Sequence, residues 1–251
     1  MEILIYVVLG FVAEMIDGTL GMAYGVSSNT FLRTFAGLPS VVSSACVHFS
    51  ELFTTLISGI SHLKFRNVSK ALFLKLLVPG IIGGALGAYL LVEFSSREVD
   101  IIIDAYLLVM GVVIFLKAFK KASKPREYGN YVYGLGLVGG LTDAMGGGGW
   151  GPIVTSTLLA SGHDTRKTIG TVNTAEFFVT VAETTTFAAL VVDFQAYTSI
   201  IVGLILGGVV AAPIGAALCS KIPTKWMLGV VGVLVVGLNL IKLFQHTGVM
   251  G

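Results

Sequence analysis

Apolar stretches long enough to cross a bilayer recur along the whole length of this sequence. A spanning helix needs roughly 20 mostly apolar residues to cross about 30 Å of hydrocarbon. With 55% hydrophobic and 12% charged residues, the 251-residue chain has more apolar surface than one soluble core can bury. We therefore predict a polytopic all-α membrane protein. Its apolar segments are 2–17, 20–35, 40–61, 70–92, 99–118, 130–145, 150–161, 167–190, 195–219 and 225–243.

Three sequence blocks occur twice and in the same order. In the second block His48 aligns with Asn173, and Glu51 aligns with Glu176. Chance matching of apolar sequence explains one such block but not three, so the pattern predicts two homologous repeats. The blocks are 17–25 with 143–151, 45–51 with 170–176, and 79–87 with 207–215.

The basic residues favour an inverted relation between the two repeats. If each glycine-rich pair of segments forms a hairpin that does not cross the bilayer, one face collects 13 Lys and Arg residues and the other keeps 3. Eight full crossings would give 10 against 6, so the positive-inside rule favours the hairpins. We predict two inverted repeats, each a re-entrant or broken glycine-rich helical hairpin plus three transmembrane helices. Residues 1–118 form the first repeat, 119–128 a basic linker and 129–251 the second repeat, with both termini outside the cytoplasm.

The two glycine-rich blocks are the strongest candidates for a solute site. Unwound backbone at membrane depth is tolerated where it is buried in protein or lines a polar cavity, and inverted-repeat transporters bind solute there. Helices that start after the glycines would aim N–H groups at an anion, although small residues also serve simple helix packing. The predicted binding residues are Gly21, Tyr24, Gly25, Ser27, Ser28, Asn29, Gly147, Gly148, Gly149, Trp150, Gly151, Thr155 and Asn173.

Acidic residues inside the apolar segments form a second group of candidates. A buried carboxylate is costly at membrane depth and should be neutral, paired or beside water. Asp17 and Asp143 directly precede the glycine turns, where they could instead accept N–H groups of the turn. His48 lies one turn before Glu51, a spacing that suits a proton relay, and Glu176 is the repeat equivalent of Glu51. Glu14 and Glu183 have no acidic counterpart in the other half and are weaker candidates.

The sequence lacks the motifs of several other protein classes. It contains no Walker-type phosphate loop, no H-E-x-x-H and no G-x-S-x-G, so we expect neither an enzyme nor a cofactor. Cys46 and Cys219 lack metal-ligand spacing and are expected to pack as small hydrophobic residues. A net charge of +2 is too small to indicate nucleic-acid binding.

The duplicated pattern D-x-x-x-G-x-x-[YW]-G, the glutamate block after it and the P-G-x-x-G-G-x-x-G segment resemble the sulfite exporter TauE/SafE family. That family is also known as the toluene sulfonate uptake permeases, and the resemblance covers about 5–243. It implies an ion-coupled secondary transporter of sulfite, organosulfonates or thiosulfate. The run Gly146 to Gly149 matches the family's glycine block, whereas residues 18–25 depart from it, so the two sides of the site should be unequal.

A divalent metal cation transporter is the main alternative, because paired intramembrane carboxylates could ligate a metal. The expected partners are a small anionic sulfur-containing solute and the lipid bilayer. The sequence leaves open whether the protein forms a homo-oligomer. A compact single-chain transporter of this kind fits the inner (plasma) membrane of a bacterial cell.

Overall fold

The protein is helical throughout the part of the chain described by this computed structural model, which comprises residues 2–117, 119, 128–190, 193–219 and 224–246. The all-α prediction is confirmed. Residues 120–127, which make up most of the predicted basic linker 119–128, lie outside the described residues, as does residue 118. The first half contains α1 Glu2–Leu20, α2 Tyr24–Phe35, α3 Ser40–Lys64, α4 Lys70–Glu93 and α5 Arg97–Lys117. The second half contains α6 Tyr131–Gly146, a π-helical turn Trp150–Thr155, α7 Ser156–Ala160, α8 Thr165–Leu190, a 3₁₀ turn Phe194–Tyr197, α9 Thr198–Leu218 and α10 Thr224–His246.

Five helical segments of the described chain are long and apolar enough to cross a membrane. They are Ile3–Leu20, Ser40–Lys64, Lys70–Glu93, Arg97–Leu116 and Phe194–Leu218. Helix α8 has 26 residues but is rich in threonine and carries Asn173, Glu176 and Glu183, which are all buried. Its polar side chains are therefore kept away from lipid by the helices around it. The chain is a multi-pass membrane protein.

Helix packing repeats between the two halves. Helix α1 of the first half packs on α9 of the second half, and the equivalent α6 of the second half packs on α4 of the first half. Likewise α3 packs on α9 while α8 packs on α4, and the equivalent pairs α3–α8 and α5–α10 pack on each other. Exchanging each helix for its equivalent leaves this set of contacts unchanged, as a pseudo-two-fold axis requires.

Equivalent helices that touch each other run in opposite directions. Along α3 and α8, His48 lies beside Glu183, and Gly59 lies beside Thr174. Along α5 and α10, Gly111 lies beside Val235, whereas Gly232 lies beside Phe115 four residues further along α5. These directions support an inverted relation between the halves. The inversion across a membrane, and its sidedness, stay predictions.

Glycines let the helix backbones approach closely in two equivalent helix pairs, α1 with α9 and α6 with α4. A Cβ atom on Gly207 of α9 would collide with the carbonyl oxygen of Val7 on α1. A Cβ on Gly83 of α4 would collide in the same way with the carbonyl oxygen of Leu137 on α6. Lipid tails are as apolar as the helices, so the hydrophobic effect does not drive helices together in a bilayer. Van der Waals packing at close backbone contacts such as these holds them together instead.

Replacement of Gly83 by alanine should destabilise the protein. The new methyl group would overlap the Leu137 carbonyl oxygen, which belongs to rigid helical backbone, and overpacking of this kind costs about 1–3 kcal/mol. Thermal unfolding of the purified protein in detergent, followed by size-exclusion chromatography, measures the effect. Gly134→Ala is the control because a Cβ at Gly134 meets no atom within 4 Å. Equal unfolding temperatures for both variants would contradict this packing.

The amino end of α1 and the carboxyl end of α10 should be reached by the same membrane-impermeant label in intact cells. The distribution of basic residues predicts that this is the non-cytoplasmic side. Single-cysteine tags at each terminus, in a variant without Cys46 and Cys219, measure this accessibility. A cytoplasmic amino terminus would refute the hairpin topology.

Candidate functional site

The two glycine turns lie against each other in the middle of the helical bundle. A Cβ on Gly25 would be 2.7 Å from the Gly147 carbonyl oxygen, and a Cβ on Gly151 would be 2.8 Å from that of Gly21. Gly25 and Gly151 occupy equivalent positions in the repeats, as do Gly21 and Gly147. Gly21 and Gly147 also share a left-handed backbone conformation, with φ of +66° and +61°. Each turn therefore packs its glycine on the backbone of the other.

Glycine is required at this contact because backbone meets backbone. Gly148 has a φ of +152°, and a Cβ there would collide with the backbone nitrogen of Val26. Gly149 is also confined, since its Cβ would lie 2.6 Å from the Tyr106 hydroxyl oxygen and 2.7 Å from Thr142 Oγ1. The predicted turn glycines are thus brought together at one interface between the halves.

Two aspartates accept hydrogen bonds from the backbone N–H groups at which the helices begin again after the glycine turns. Asp143 Oδ1 accepts hydrogen bonds from the backbone nitrogens of Gly149, at 2.6 Å, and Trp150, at 2.9 Å. The Asp17 carboxylate is hydrogen-bonded to the backbone of Tyr24, which is the equivalent of Trp150. A carboxylate at a helix start offsets the exposed N–H groups and the positive end of the helix dipole. In this conformation these N–H groups are bonded to the protein itself.

Several buried polar atoms near the turns have no hydrogen-bond partner within the described part of the chain. They are the hydroxyl oxygens of Tyr24, Ser28 and Thr155, the amide oxygens of Asn29 and Asn173, and Asp143 Oδ2. Thr155 lies against Gly21, and Asn29 Nδ2 donates to the carbonyl oxygen of Gly146. Because buried polar atoms usually have partners, these atoms are the ones available to a polar solute.

Two of the predicted binding residues face away from this interface. The Trp150 indole nitrogen donates to the carbonyl oxygen of Val172, at 3.2 Å, and its ring packs among apolar residues that include Leu72 and Leu76. Ser27 lines an apolar cavity of about 110 Å³ between α1, α2 and α10. Their side chains contribute to packing in this structure.

Six carboxylates are buried in the same region, each at most 5% exposed. They are Glu14, Asp17, Glu51, Asp143, Glu176 and Glu183. His48 Nδ1 is 2.7 Å from Glu51 Oε2 and 3.1 Å from Glu183 Oε2. Glu176 lies close enough to Asp17 and Glu51 to interact with them electrostatically. Glu183, a weak candidate by sequence, thus lies in direct contact with the predicted relay.

Three of these groups are also spaced as metal ligands could be. One ligand atom each from His48, Asp143 and Glu183 lies within 4.8 Å of the other two. Imidazole and carboxylate suit borderline divalent ions such as zinc or manganese. The geometry therefore admits a cation as well as a proton.

Sequence reasoning missed a buried ion pair at the carboxyl end of α2. Arg33 is 2% exposed, and its guanidinium donates to Asp104 Oδ1 at 2.9 Å through Nε and at 2.5 Å through Nη2. It also bonds Asp100, 3.2 Å away, and Ser40. Asp100 and Asp104 lie one turn apart on α5, and this spacing in an apolar helix was the available signal. The pair fixes α2 to α5.

Comparisons with known proteins agree with this architecture. Residues 6–241 match the family model "Sulfite exporter TauE/SafE". Over 245 residues, the chain is 37% identical to "Probable membrane transporter protein YtnM" of Bacillus subtilis (strain 168), covering 95% of this chain and 81% of that protein. No solved structure matches the chain. Family and relative are transporters rather than enzymes, and this chain belongs to the sulfite exporter TauE/SafE family of membrane proteins.

Proposed function

We propose that this protein is a proton-coupled secondary transporter of small sulfur-containing anions such as sulfite, organosulfonates or thiosulfate. The observation that carries the proposal is the contact between the two glycine turns, one from each half. It is bordered by buried hydroxyl groups that have no hydrogen-bond partner among the residues the structure describes. A solute held there would touch both halves. Rocking of one half against the other would then expose it alternately to the two sides of the membrane.

The polar groups at the interface suit an oxyanion head. Tyr24, Ser28 and Thr155 can each donate one O–H to such a head, whereas the Nδ2 group of Asn29 already donates to Gly146 and holds the turn. The half-helices beyond the turns point the positive ends of their dipoles at the same place. The head of a sulfite or sulfonate is small and presents only acceptor oxygens, which matches this set of donors.

The buried acids explain why the proposal includes protons. Six carboxylates and one histidine cannot all be ionised in a region of low dielectric, and ionised acids would repel an anion. Protons on these acids would remove the repulsion. His48, Glu51 and Glu176, with Asp17 and Asp143, are the groups we assign to proton uptake.

Purified protein in liposomes should take up labelled sulfite, sulfoacetate or thiosulfate, and an inwardly directed proton gradient should accelerate that uptake. Flux is measured by filtration, with protein-free liposomes as the control for leakage. An absence of flux for every sulfur anion tested would refute the proposed substrate class.

Loss of one interface hydroxyl should weaken substrate binding. Ser28→Ala removes a donor, and the loss of a hydrogen bond to a charged group costs about 1.5–3 kcal/mol, or roughly tenfold or more in affinity. The half-saturation concentration for the transported anion measures this loss. Ser61→Ala is the matched control because Ser61 Oγ donates to Ile57 within its own helix. Equal affinities of the two variants would place the anion elsewhere.

A divalent cation transporter is the second candidate, favoured by the spacing of His48, Asp143 and Glu183. The double variant Asp17→Asn with Asp143→Asn separates the two functions. Asparagine still offers an oxygen to the turn N–H groups, so anion flux should persist in part, whereas the cation site would lose the charge of its Asp143 ligand. Flux of Mn²⁺ or Zn²⁺ that disappears in the double variant, together with no anion flux in the wild type, would favour the cation function.

A further inference from the structure

His48 and its repeat equivalent Asn173 occupy equivalent positions at the α3–α8 interface. Each contacts a backbone carbonyl oxygen and a side chain of the opposite half, but the side chains differ in chemistry. His48 Nε2 lies 3.2 Å from the carbonyl oxygen of Asp143, and Nδ1 lies 3.1 Å from Glu183 Oε2. Both partners belong to the second half. The histidine thereby joins α3 to α6 and α8.

Asn173 mirrors this arrangement from the other half. Its Nδ2 is 3.4 Å from the carbonyl oxygen of Asp17, the equivalent of Asp143, and 3.2 Å from Ser58 Oγ. Ser58 precedes Glu183 by the same 125 residues that separate His48 from Asn173. The two contacts are therefore twins under the pseudo-two-fold relation. One contains an imidazole and a carboxylate, while the other contains an amide and a hydroxyl.

The geometry around His48 fits a ring that is protonated on both nitrogens. Nδ1 faces the carboxylate oxygens of Glu51, at 2.7 Å, and Glu183, while Nε2 faces a backbone carbonyl oxygen. When Glu51 and Glu183 are ionised, their oxygens and the carbonyl oxygen only accept hydrogen bonds, and each ring nitrogen then donates one. A ring with two N–H groups is an imidazolium, and its positive charge lies between two carboxylates.

Glu183 depends on this histidine for its charge balance. The residue is fully buried, and neither carboxylate oxygen has a hydrogen-bond partner in the described part of the chain. It forms an ion pair with His48, and Gly84 of α4 closes the space beside it, because a Cβ there would lie 2.8 Å from Glu183 Oε1. An unpaired carboxylate in this position would have to take up a proton.

We infer that His48, Glu51 and Glu183 form one proton-binding site that joins the two halves, and that Asn173 and Ser58 form its non-titrating twin. If α8 moves away from α3, the Nδ1–H bond of His48 breaks and an O–H bond forms on Glu183. The proton is transferred and the total charge is conserved. The assignment of this proton to anion transport rests on the proposed function, whereas the proton site itself does not.

Other ionisable groups face this site from the elements around it. Helix α6 brings Asp143, α1 brings Glu14 and Asp17, α2 brings Tyr24, and α8 also brings Glu176. Helix α9 has no ionisable side chain in Thr198–Leu218. Single substitutions of Glu183 separate its contribution from those of its neighbours, because Glu183 is the carboxylate that contacts His48 from the opposite half.

The protonation of His48 can be measured without any substrate. In protein labelled with ¹⁵N-histidine in liposomes, subtraction of the His48→Asn spectrum isolates the His48 signals in nuclear magnetic resonance. We expect both ring nitrogens to be protonated at neutral pH, and Glu183→Gln to reduce that imidazolium signal by about half or more. Glu93→Gln, at the exposed end of α4, is the matched control and should leave the signal unchanged.

Conversion of the site into its twin tests its role in coupling. The double variant His48→Asn with Glu183→Ser reproduces the amide and hydroxyl of the Asn173–Ser58 contact. Uptake of thiosulfate or sulfoacetate driven by a proton gradient should fall about tenfold in this variant relative to exchange of the same anion at equal pH, and the ratio of the two rates measures the coupling. Glu93→Gln serves again as the control.

The outcomes separate this inference from the proposed function. An imidazolium signal that depends on Glu183, with no flux of any sulfur anion in the wild type, would support the proton site and refute the anion function. A neutral His48, or a signal unaffected by Glu183→Gln, would overturn the proton site. Zn²⁺ alone, if it binds tightly in the wild type and displaces the imidazolium signal but fails to bind Glu183→Gln, would overturn it in favour of a metal site. Full proton-driven uptake by the double variant would overturn the coupling role.

Discussion

The need to satisfy unwound backbone inside a membrane protein governs much of this structure. Lipid cannot hydrogen-bond to exposed amides, so a helix can break at depth only where protein supplies the missing partners. Here Asp143 supplies them to Gly149 and Trp150. The equivalent Asp17 is bonded to Tyr24, so the same solution serves both halves. The two broken helices also pack against each other, because Gly25 and Gly151 each contact the opposite turn.

This reciprocal packing explains why glycine is concentrated in the two turns. The contact between Gly25 and Gly147 leaves no room for side chains between the backbones. A side chain added on either turn would push the halves apart and expose the amides of both. Beside the same contact, several buried polar side chains have no hydrogen-bond partner among the described residues, and this is the basis for the solute site proposed above.

The sequence was sufficient to predict the helical class, because this depends on local composition. The glycine-rich blocks also indicated the two helix breaks, which the structure has after Leu20 and after Gly146, while the division into two inverted repeats stays a prediction. The sequence alignment also paired His48 with Asn173, and the structure gives them equivalent contacts, with the carbonyl oxygens of Asp143 and Asp17 respectively. Boundaries were less accurate. Helix α1 continues through Asp17 to Leu20, and segment 150–161 is a π-helical turn followed by a short helix.

Side-chain direction was beyond the reach of sequence. Ser27 and Ser28 are neighbours whose hydroxyl oxygens both lack a hydrogen-bond partner among the described residues, yet Ser27 lines an apolar cavity while Ser28 is fully buried. Which face of α2 meets the opposite turn depends on how the halves dock. The same limit concealed Glu183, whose partner His48 lies 135 residues away. The absence of an acidic equivalent made Glu183 look incidental, although it contacts the predicted relay.

The unequal chemistry of the two halves follows from what a duplicated scaffold must keep and what it can vary. Both repeats need an aspartate at the restart of the helix, because both have the same unbonded N–H groups. The contact between α3 and α8 has a polar pair on each side, which is the His48–Glu183 ion pair on one side and the Asn173–Ser58 hydrogen bond on the other. Ionisable groups are costly at depth, so a second titrating pair would add electrostatic cost without improving the packing. Retention of charge on one side is therefore better explained by a role in binding protons than by the stability of the interface.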